Sequence, residues 1–136
     1  MKKACIIDID GTLAHKGDRH PFDYSTVDRD TLNVPVAETV KALKKFGYQI
    51  LIFSGREDSC FEMTLKWLKK YDIPVDLLLL RKTGDRRKDS TVKRELYEGI
   101  KDKYDIHFAI DDRDQMVEMW RKELNIPCFQ VDYGNF

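Results

Sequence analysis

Ala4-Cys5-Ile6-Ile7-Asp8-Ile9-Asp10-Gly11-Thr12 is the stretch on which the fold turns. Its apolar part, Ala4 to Ile9, reads as a short buried strand, and the acidic end runs into an Asp-Gly turn. Working outward, the same kind of apolar run recurs at Tyr48 to Phe53, Val75 to Leu80, His107 to Ile110 and Cys128 to Val131. Between these runs the apolar residues fall at helical spacing: Val36, Val40, Leu43; Phe61, Leu65, Leu68; Val92, Leu96, Ile100; Val117, Trp120, Leu124. Each set gives one apolar stripe to lay against a sheet. Gly47, Pro74 and Pro127 are stop signals after the first, second and fourth helices. The order is βαβαβαβαβ. Right-handed crossovers then require a parallel five-stranded sheet covered on both faces, a doubly wound α/β domain.

The chain has 136 residues with 42% hydrophobic, enough for one core and hardly two, so residues 1–136 are expected to form a single domain. Lys plus Arg equals Asp plus Glu at 24 each, so no global field favours a polyanion and any such partner must be bound locally. Cys5, Cys60 and Cys128 are far apart with no CxxC pattern, which fits reduced thiols in the cytoplasm better than a disulfide framework or a zinc site. The apolar run after Met1-Lys2-Lys3 stops at Asp8, too soon for a signal peptide or a membrane span. The stretch from Gly11 to Asn33, with Gly17, Pro21 and several charges, lacks periodicity and follows the first strand. Loops of that length tend to be functional, and this one should stand over the carboxyl edge of the sheet.

Four corners of that edge carry chemistry. Strand geometry puts Asp8 and Asp10 on one side, so two carboxylates converge, although a plain Asp-Gly turn would also read this way. Phe53-Ser54-Gly55-Arg56 brings a hydroxyl, a permissive glycine and a guanidinium, a corner that can hold phosphate or be an ordinary turn. Asp111-Asp112 ends the fourth strand; helix capping explains one acid, and adjacent like charges call for a cation between them. Gly84 to Asp89 precedes the third helix, where Lys88 either sits in a solvated turn or aims its ammonium at a phosphate over the sheet.

Together these groups suit attack on a phosphate monoester, a reaction limited by charge repulsion. Asp8 is the expected nucleophile, giving an aspartyl-phosphate, and Asp10 the acid that protonates the leaving alkoxide and later takes a proton from water. Oxygen ligands suit Mg²⁺, with Asp8, Asp111 and Asp112 as direct or water-mediated ligands. Asp10 is counted with this metal-binding set, its side chain off the ion. The scheme requires Asp8 charged and Asp10 partly protonated.

These residues resemble the four motifs of the haloacid dehalogenase superfamily of phosphatases: DIDGT, then Ser54, Lys88 and the Asp111-Asp112 pair. Within it, nearly the whole chain is similar to the 3′-phosphatase domain of phage polynucleotide kinase-phosphatase, through DIDGTLAHKGDRHPFD, GYQILIFSGRE, TGDRRKDSTVKRE, IDDRDQMVEMWR and CFQVDYGNF. The resemblance implies a Rossmann-like haloacid dehalogenase fold and Mg²⁺. It implies Arg19 and Arg56 as contacts to the substrate phosphate end, and Asp85 as a residue that holds the lysine or an arginine. It implies 3′-phosphorylated DNA or RNA ends as substrate and nucleic-acid repair as the setting, with a separate kinase or ligase as partner and no membrane. No GxxxxGK[ST] loop occurs, so kinase activity is not expected. The loop from Asp58 to Glu62 is short relative to the phage pattern, and no segment is long enough for a cap domain. A capless site admits a polymer end; a small-molecule or nucleotide phosphatase, or a non-catalytic module on the same fold, are the rival readings. His15, His20 and His107 have no partner pattern, Trp67 and Trp120 read as core, and Tyr133 and Phe136 as core or base-stacking.

Overall fold

In a computed structural model of the chain, residues 1–15, 17, 19–20 and 23–136 are described; Lys16, Asp18, Pro21 and Phe22, part of the expected functional loop, lie outside them. Five parallel strands form the main sheet: β1 (Lys2–Ile7), β4 (Gln49–Glu57), β5 (Leu77–Arg81), β6 (Tyr104–Asp111) and β7 (Cys128–Gln130). They lie in the order β5-β4-β1-β6-β7. The Gly11 to Asn33 stretch supplies a small antiparallel ribbon, β2 (Ala14–His15) with β3 (Thr31–Leu32), and a 3-10 turn at Val27–Arg29. Among the described residues nothing larger is inserted there. The helices are α1 (Val34–Lys45), α2 (Phe61–Lys70), α3 (Asp89–Ile100) and α4 (Asp114–Glu118), the last continued by a π-helical stretch, Met119–Glu123.

Alternation along the strands divides the core in two. Cys5, Ile7, Ile50, Ile52, Phe108 and Ile110 face α1 and α2, where they meet Val40, Trp67 and Leu68. Ala4, Ile6, Leu51, Phe53 and Ala109 face the other side, against Ile100, Met116, Val117 and Trp120. Each fully buried Ile or Leu contributes about 1.5–3 kcal/mol of transfer free energy, so both faces are stabilised by packing rather than by helix propensity. The sheet is doubly wound, as the alternating pattern requires. The chain moves outward from β1 through β4 to β5, then crosses back to the far side for β6 and β7. The order therefore reverses at β1, and a ligand crevice opens at its carboxyl end.

Two strands are longer than their apolar runs. Residues 104–107 of β6 alternate half-buried and exposed, a pattern that hides from a count of apolar residues. β4 continues through Ser54, Gly55 and Arg56, with a register shift between Ser54 and Glu57, so the expected corner is a bulged strand end. Among the described residues no helix is long and apolar enough to cross a membrane.

Candidate active site

β1 ends at Ile7, but the Asp8 N–H still donates to Ile110 O at 3.1 Å, so Asp8 is held against β6. The chain then turns sharply, with Thr12 N and Ala14 N both donating to Ile9 O. Gly11 adopts φ +85, and a Cβ there would lie 2.1 Å from Asp112 Oδ2. Glycine is thus required for conformation and for space. The turn brings Thr12 under the carboxylate: Thr12 Oγ1 donates to Asp8 Oδ2 at 2.9 Å. Lys93, from the second turn of α3, donates from Nζ to Asp8 Oδ1 at 2.6 Å and lies 3.4 Å from Asp111 Oδ2. Asp111 also accepts from the Asp112 N–H at 2.9 Å and from Trp120 Nε1 at 3.3 Å. Asp8, Asp111, Asp112 and Lys93 are all buried.

Oxygen atoms of Asp8, Asp111 and Asp112 come within 4.8 Å of one another. Three ionised carboxylates against one ammonium leave two uncompensated negative charges (3 − 1 = 2) in a poorly hydrated place, which is costly unless protons or a cation are present. Burial, then Asp111, pushes the Asp8 carboxyl well above its usual range, with Lys93 opposing. Burial and Asp111 likewise push Asp112 up to about 6, against opposing hydrogen bonds and Lys93. Burial alone would lower the Lys93 ammonium, but Asp111 and Asp8 raise it, so it stays charged. The donor set, all hard oxygens with a charge deficit of two, fits Mg²⁺.

Asp10 has a different neighbourhood. Arg56 binds it in a fork, Nε to Oδ2 at 3.0 Å and NH2 to Oδ1 at 2.9 Å, and Arg19 NH2 donates to Oδ1 at 2.8 Å. Both arginines also bind Asp30, Arg19 through Nε at 3.0 Å and Arg56 through NH2 at 3.2 Å. Arg56 NH1 reaches Thr64 Oγ1 at 3.1 Å, and the Asp30 carbonyl is fixed by Trp67 Nε1 at 2.8 Å. Burial would raise the Asp10 carboxyl, but Arg56 and then Arg19 outweigh it and hold it below its ordinary value. A cavity of about 480 Å³ opens over both groups, bordered by Asp8, Asp10, Arg19, Arg56, Lys93 and Asp112.

A family model for the phosphatase domain of polynucleotide kinase PNKP matches residues 2–136. The chain belongs to this family. Two solved structures, of the Pnkp1/Rnl/Hen1 complex and of the Pnkp1/Rnl/Hen1 RNA repair complex, each hold a similar chain, at 50% and 51% identity and TM-scores of 0.97 and 0.96. The matches cover 100% and 99% of this chain but 48% and 44% of those chains, so it spans about half of their length or less. A class C acid phosphatase from Bacillus anthracis, 16% identical with a TM-score of 0.73 over 98% of this chain and 67% of its own, shares the fold. The chain is thus a haloacid dehalogenase-type phosphatase domain of the PNKP family.

Within this PNKP-type domain several expected residues are placed differently. Lys88 is exposed at the N-cap of α3 and reaches none of the acids; the lysine on Asp8 is Lys93. The signal for it was present, because Lys93, Leu96, Tyr97 and Ile100 fall at i, i+3, i+4 and i+7, which puts a lysine on the inward side of α3. Asp10 stands apart from the three-acid cluster, its carboxylate given to arginines. Among the protein's own groups, the arginines hold the Asp10 carboxyl low while burial and Asp111 raise that of Asp8, so the charged Asp8 that the scheme requires depends on the cation. Arg19 and Arg56 border the cavity, and both guanidiniums bind Asp10 and Asp30. Ser54 is buried, and its Oγ accepts from the Arg56 N–H at 3.1 Å, bracing the strand end. Asp85 does hold an arginine, but it is Arg87, at 2.8 Å. Asp89, which sequence reasoning passed over, binds Arg81 and Arg113 and packs so closely on Gly55 that a Cβ there would come within 2.8 Å.

Asp30 and the Trp120 indole carry no local signal: Asp30 meets Arg56 from 26 residues away, and Trp120 reaches Asp111 back across α4. Trp67 and Trp120 are core residues as expected; Tyr133 and Phe136 are exposed, with the Phe136 ring 4.9 Å from the Arg113 guanidinium. His15 borders the cavity, and His107 contacts Asp105 and Tyr48. All three cysteines are free and buried.

Proposed function

We propose that this chain is a Mg²⁺-dependent polynucleotide 3′-phosphatase that works through an aspartyl-phosphate on Asp8 in the repair of nucleic-acid ends. The observation that carries the reading is the pair of unlike acids under one cavity: Asp8, set by Thr12 and Lys93 beside two further buried acids, and Asp10, gripped by two arginines. An Asp8 oxygen attacks phosphorus, and the bond from phosphorus to the 3′ oxygen breaks. Asp10 gives its proton to that oxygen. A phosphate dianion approaching Arg19 and Arg56 draws guanidinium charge away from Asp10, which favours the protonated form needed for this step. Water then attacks the phosphorus of the aspartyl-phosphate, Asp10 takes its proton, and the Asp8 carboxylate and inorganic phosphate are released. Throughout, Lys93 keeps a positive charge against Asp8. Mg²⁺ held by Asp8, Asp111 and Asp112 would supply the remaining neutralisation of the phosphate dianion.

Preference for a polymer end is supported by membership of the PNKP family, by the absence of a large insertion over the cavity among the described residues, and by the similar chains in Pnkp1/Rnl/Hen1 repair assemblies. A separate kinase or ligase as partner, a cytoplasmic setting and action of residues 1–136 as one domain belong to the same proposal. The test is kcat/KM with Mg²⁺ for a 3′-phosphorylated DNA or RNA oligomer, a 5′-phosphorylated oligomer and a sugar phosphate. The 3′-phosphorylated oligomer is expected to be fastest. A faster sugar phosphate would move the assignment to a small-molecule phosphatase, and no turnover of any would move it to a binding module.

A further inference from the structure

A second cavity, about 460 Å³, adjoins the catalytic one and shares Tyr24, Asp89 and Arg113 with it as a common wall. Its other side is the loop from Lys82 to Lys88, which is unusually well fixed for a surface loop. Arg81, buried at the end of β5, donates to Gly55 O at 2.9 Å and Asp85 O at 3.0 Å and binds the Asp89 carboxylate. Asp58 accepts from Thr83 N and Oγ1, and Glu57 from Gly84 N at 2.8 Å. Arg87 is clamped between Asp85 and Glu95, and Arg113 is held by Asp89 at 2.6 Å. After all these pairings, two of the cavity's cations, Arg86 and Lys88, are exposed and enter no ion pair among the described residues. Five cations and three acids line the cavity, an excess of two positive charges (5 − 3 = 2) in a chain of zero net charge.

We propose that this cavity is a subsite for the internucleotide phosphodiester next to the terminal phosphate, with Arg86 and Lys88 as its ligands; the proposal rests on the polynucleotide reading above. A fixed loop that presents two unpaired cations suits a singly charged diester: the guanidinium fork and the ammonium both bind non-bridging oxygens, and neither reads a base. The strand enters over the ridge of Tyr24 and Arg113, so the terminal nucleoside spans the two cavities. Recognition is local and needs no extended basic face, which agrees with the zero net charge.

The test compares three substrates with wild type, Arg86→Ala and Lys88→Ala: a nucleoside 3′-monophosphate, a dinucleotide with a 3′-phosphate, and that dinucleotide with an uncharged methylphosphonate linkage. Wild type should prefer the charged dinucleotide over the mononucleotide by about tenfold or more in kcat/KM. Each substitution should lower kcat/KM for the charged dinucleotide by about three- to tenfold more than for the other two. Equal rates for charged and uncharged linkages, or equal losses on all three substrates, would overturn the subsite while leaving the 3′-phosphatase reading intact. Turnover of p-nitrophenyl phosphate with none of the three nucleotides would instead overturn the polynucleotide reading and the subsite with it.

Discussion

The two acids of Asp8-Ile9-Asp10 stand two residues apart under one cavity, yet they belong to electrostatic neighbourhoods of opposite kind. Around Asp10, two carboxylates (Asp10, Asp30) meet two guanidiniums (Arg19, Arg56), and the charges balance within the protein. Around Asp8, three carboxylates meet one ammonium, and balance requires something from outside. Among the described residues the first cluster is therefore balanced by its own side chains, whereas the second leaves a charge that protons or a cation would neutralise. In the proposed mechanism this difference separates two chemically identical side chains into a nucleophile and an acid–base group.

The largest effect should come from Asp8→Asn, since an amide offers no usable nucleophile. Turnover should fall by more than about a thousandfold at every pH, with the far-UV spectrum unchanged. A folded, Mg²⁺-loaded variant with near-normal turnover would end the covalent mechanism.

Lys93→Met tests the unbalanced cluster next. It removes the buried ammonium beside Asp8 and Asp111, and kcat should drop by roughly a hundredfold or more. Urea unfolding without metal should show lower stability, and added Mg²⁺ should recover more of it than in wild type. Retained activity in Lys93→Met with loss in Lys88→Ala would restore the lysine assignment made from sequence.

Arg56→Ala strikes the balanced cluster, leaving Asp30 buried with one partner fewer and Thr64 Oγ1 without its guanidinium donor. About 3–5 kcal/mol of stability should be lost in chemical denaturation, the range for breaking a buried pair from one side. Mg²⁺ should not offset this loss, because the affected charges lie outside the three-acid cluster. A Mg²⁺-dependent rescue would show that the two clusters are coupled.

The smallest effect is a pH dependence of metal stabilisation. Asp8 and Asp112 have folded-state carboxyls raised above their ordinary value, Asp112 to about 6. The native state thus holds protons that the unfolded chain releases, and the contribution of these groups to metal-free stability falls as pH rises from the unfolded value through about 6. Mg²⁺ must displace the same protons, so the Tm difference between Mg²⁺ and EDTA should be small near pH 5 and grow toward pH 7. Asp10, with its carboxyl lowered, contributes the opposite way, its share being lost only as pH falls through its depressed folded value. A Tm difference that stays flat across this range would show that protons and metal do not compete for these carboxylates.

By itself the sequence determined what depends on local periodicity. Apolar runs of strand length and stripes of helical spacing are imposed by burial at each element, so the five strands of the main sheet, the four helices and the doubly wound order are legible in the sequence. The acids at the ends of β1 and β6 were legible too, because the carboxyl edge of such a sheet is a place topology fixes. Tertiary structure alone decided which charged side chains meet. Lys88 and Lys93 both lie near the start of α3, and the helix's rotation against the sheet sends one to solvent and the other to Asp8. Asp30 comes from a loop with no periodic signal, yet it joins Arg19 and Arg56, with its carbonyl held by Trp67 from α2. Charge pairing acts through space and depends on desolvation at the point of contact, and a linear order of residues carries neither.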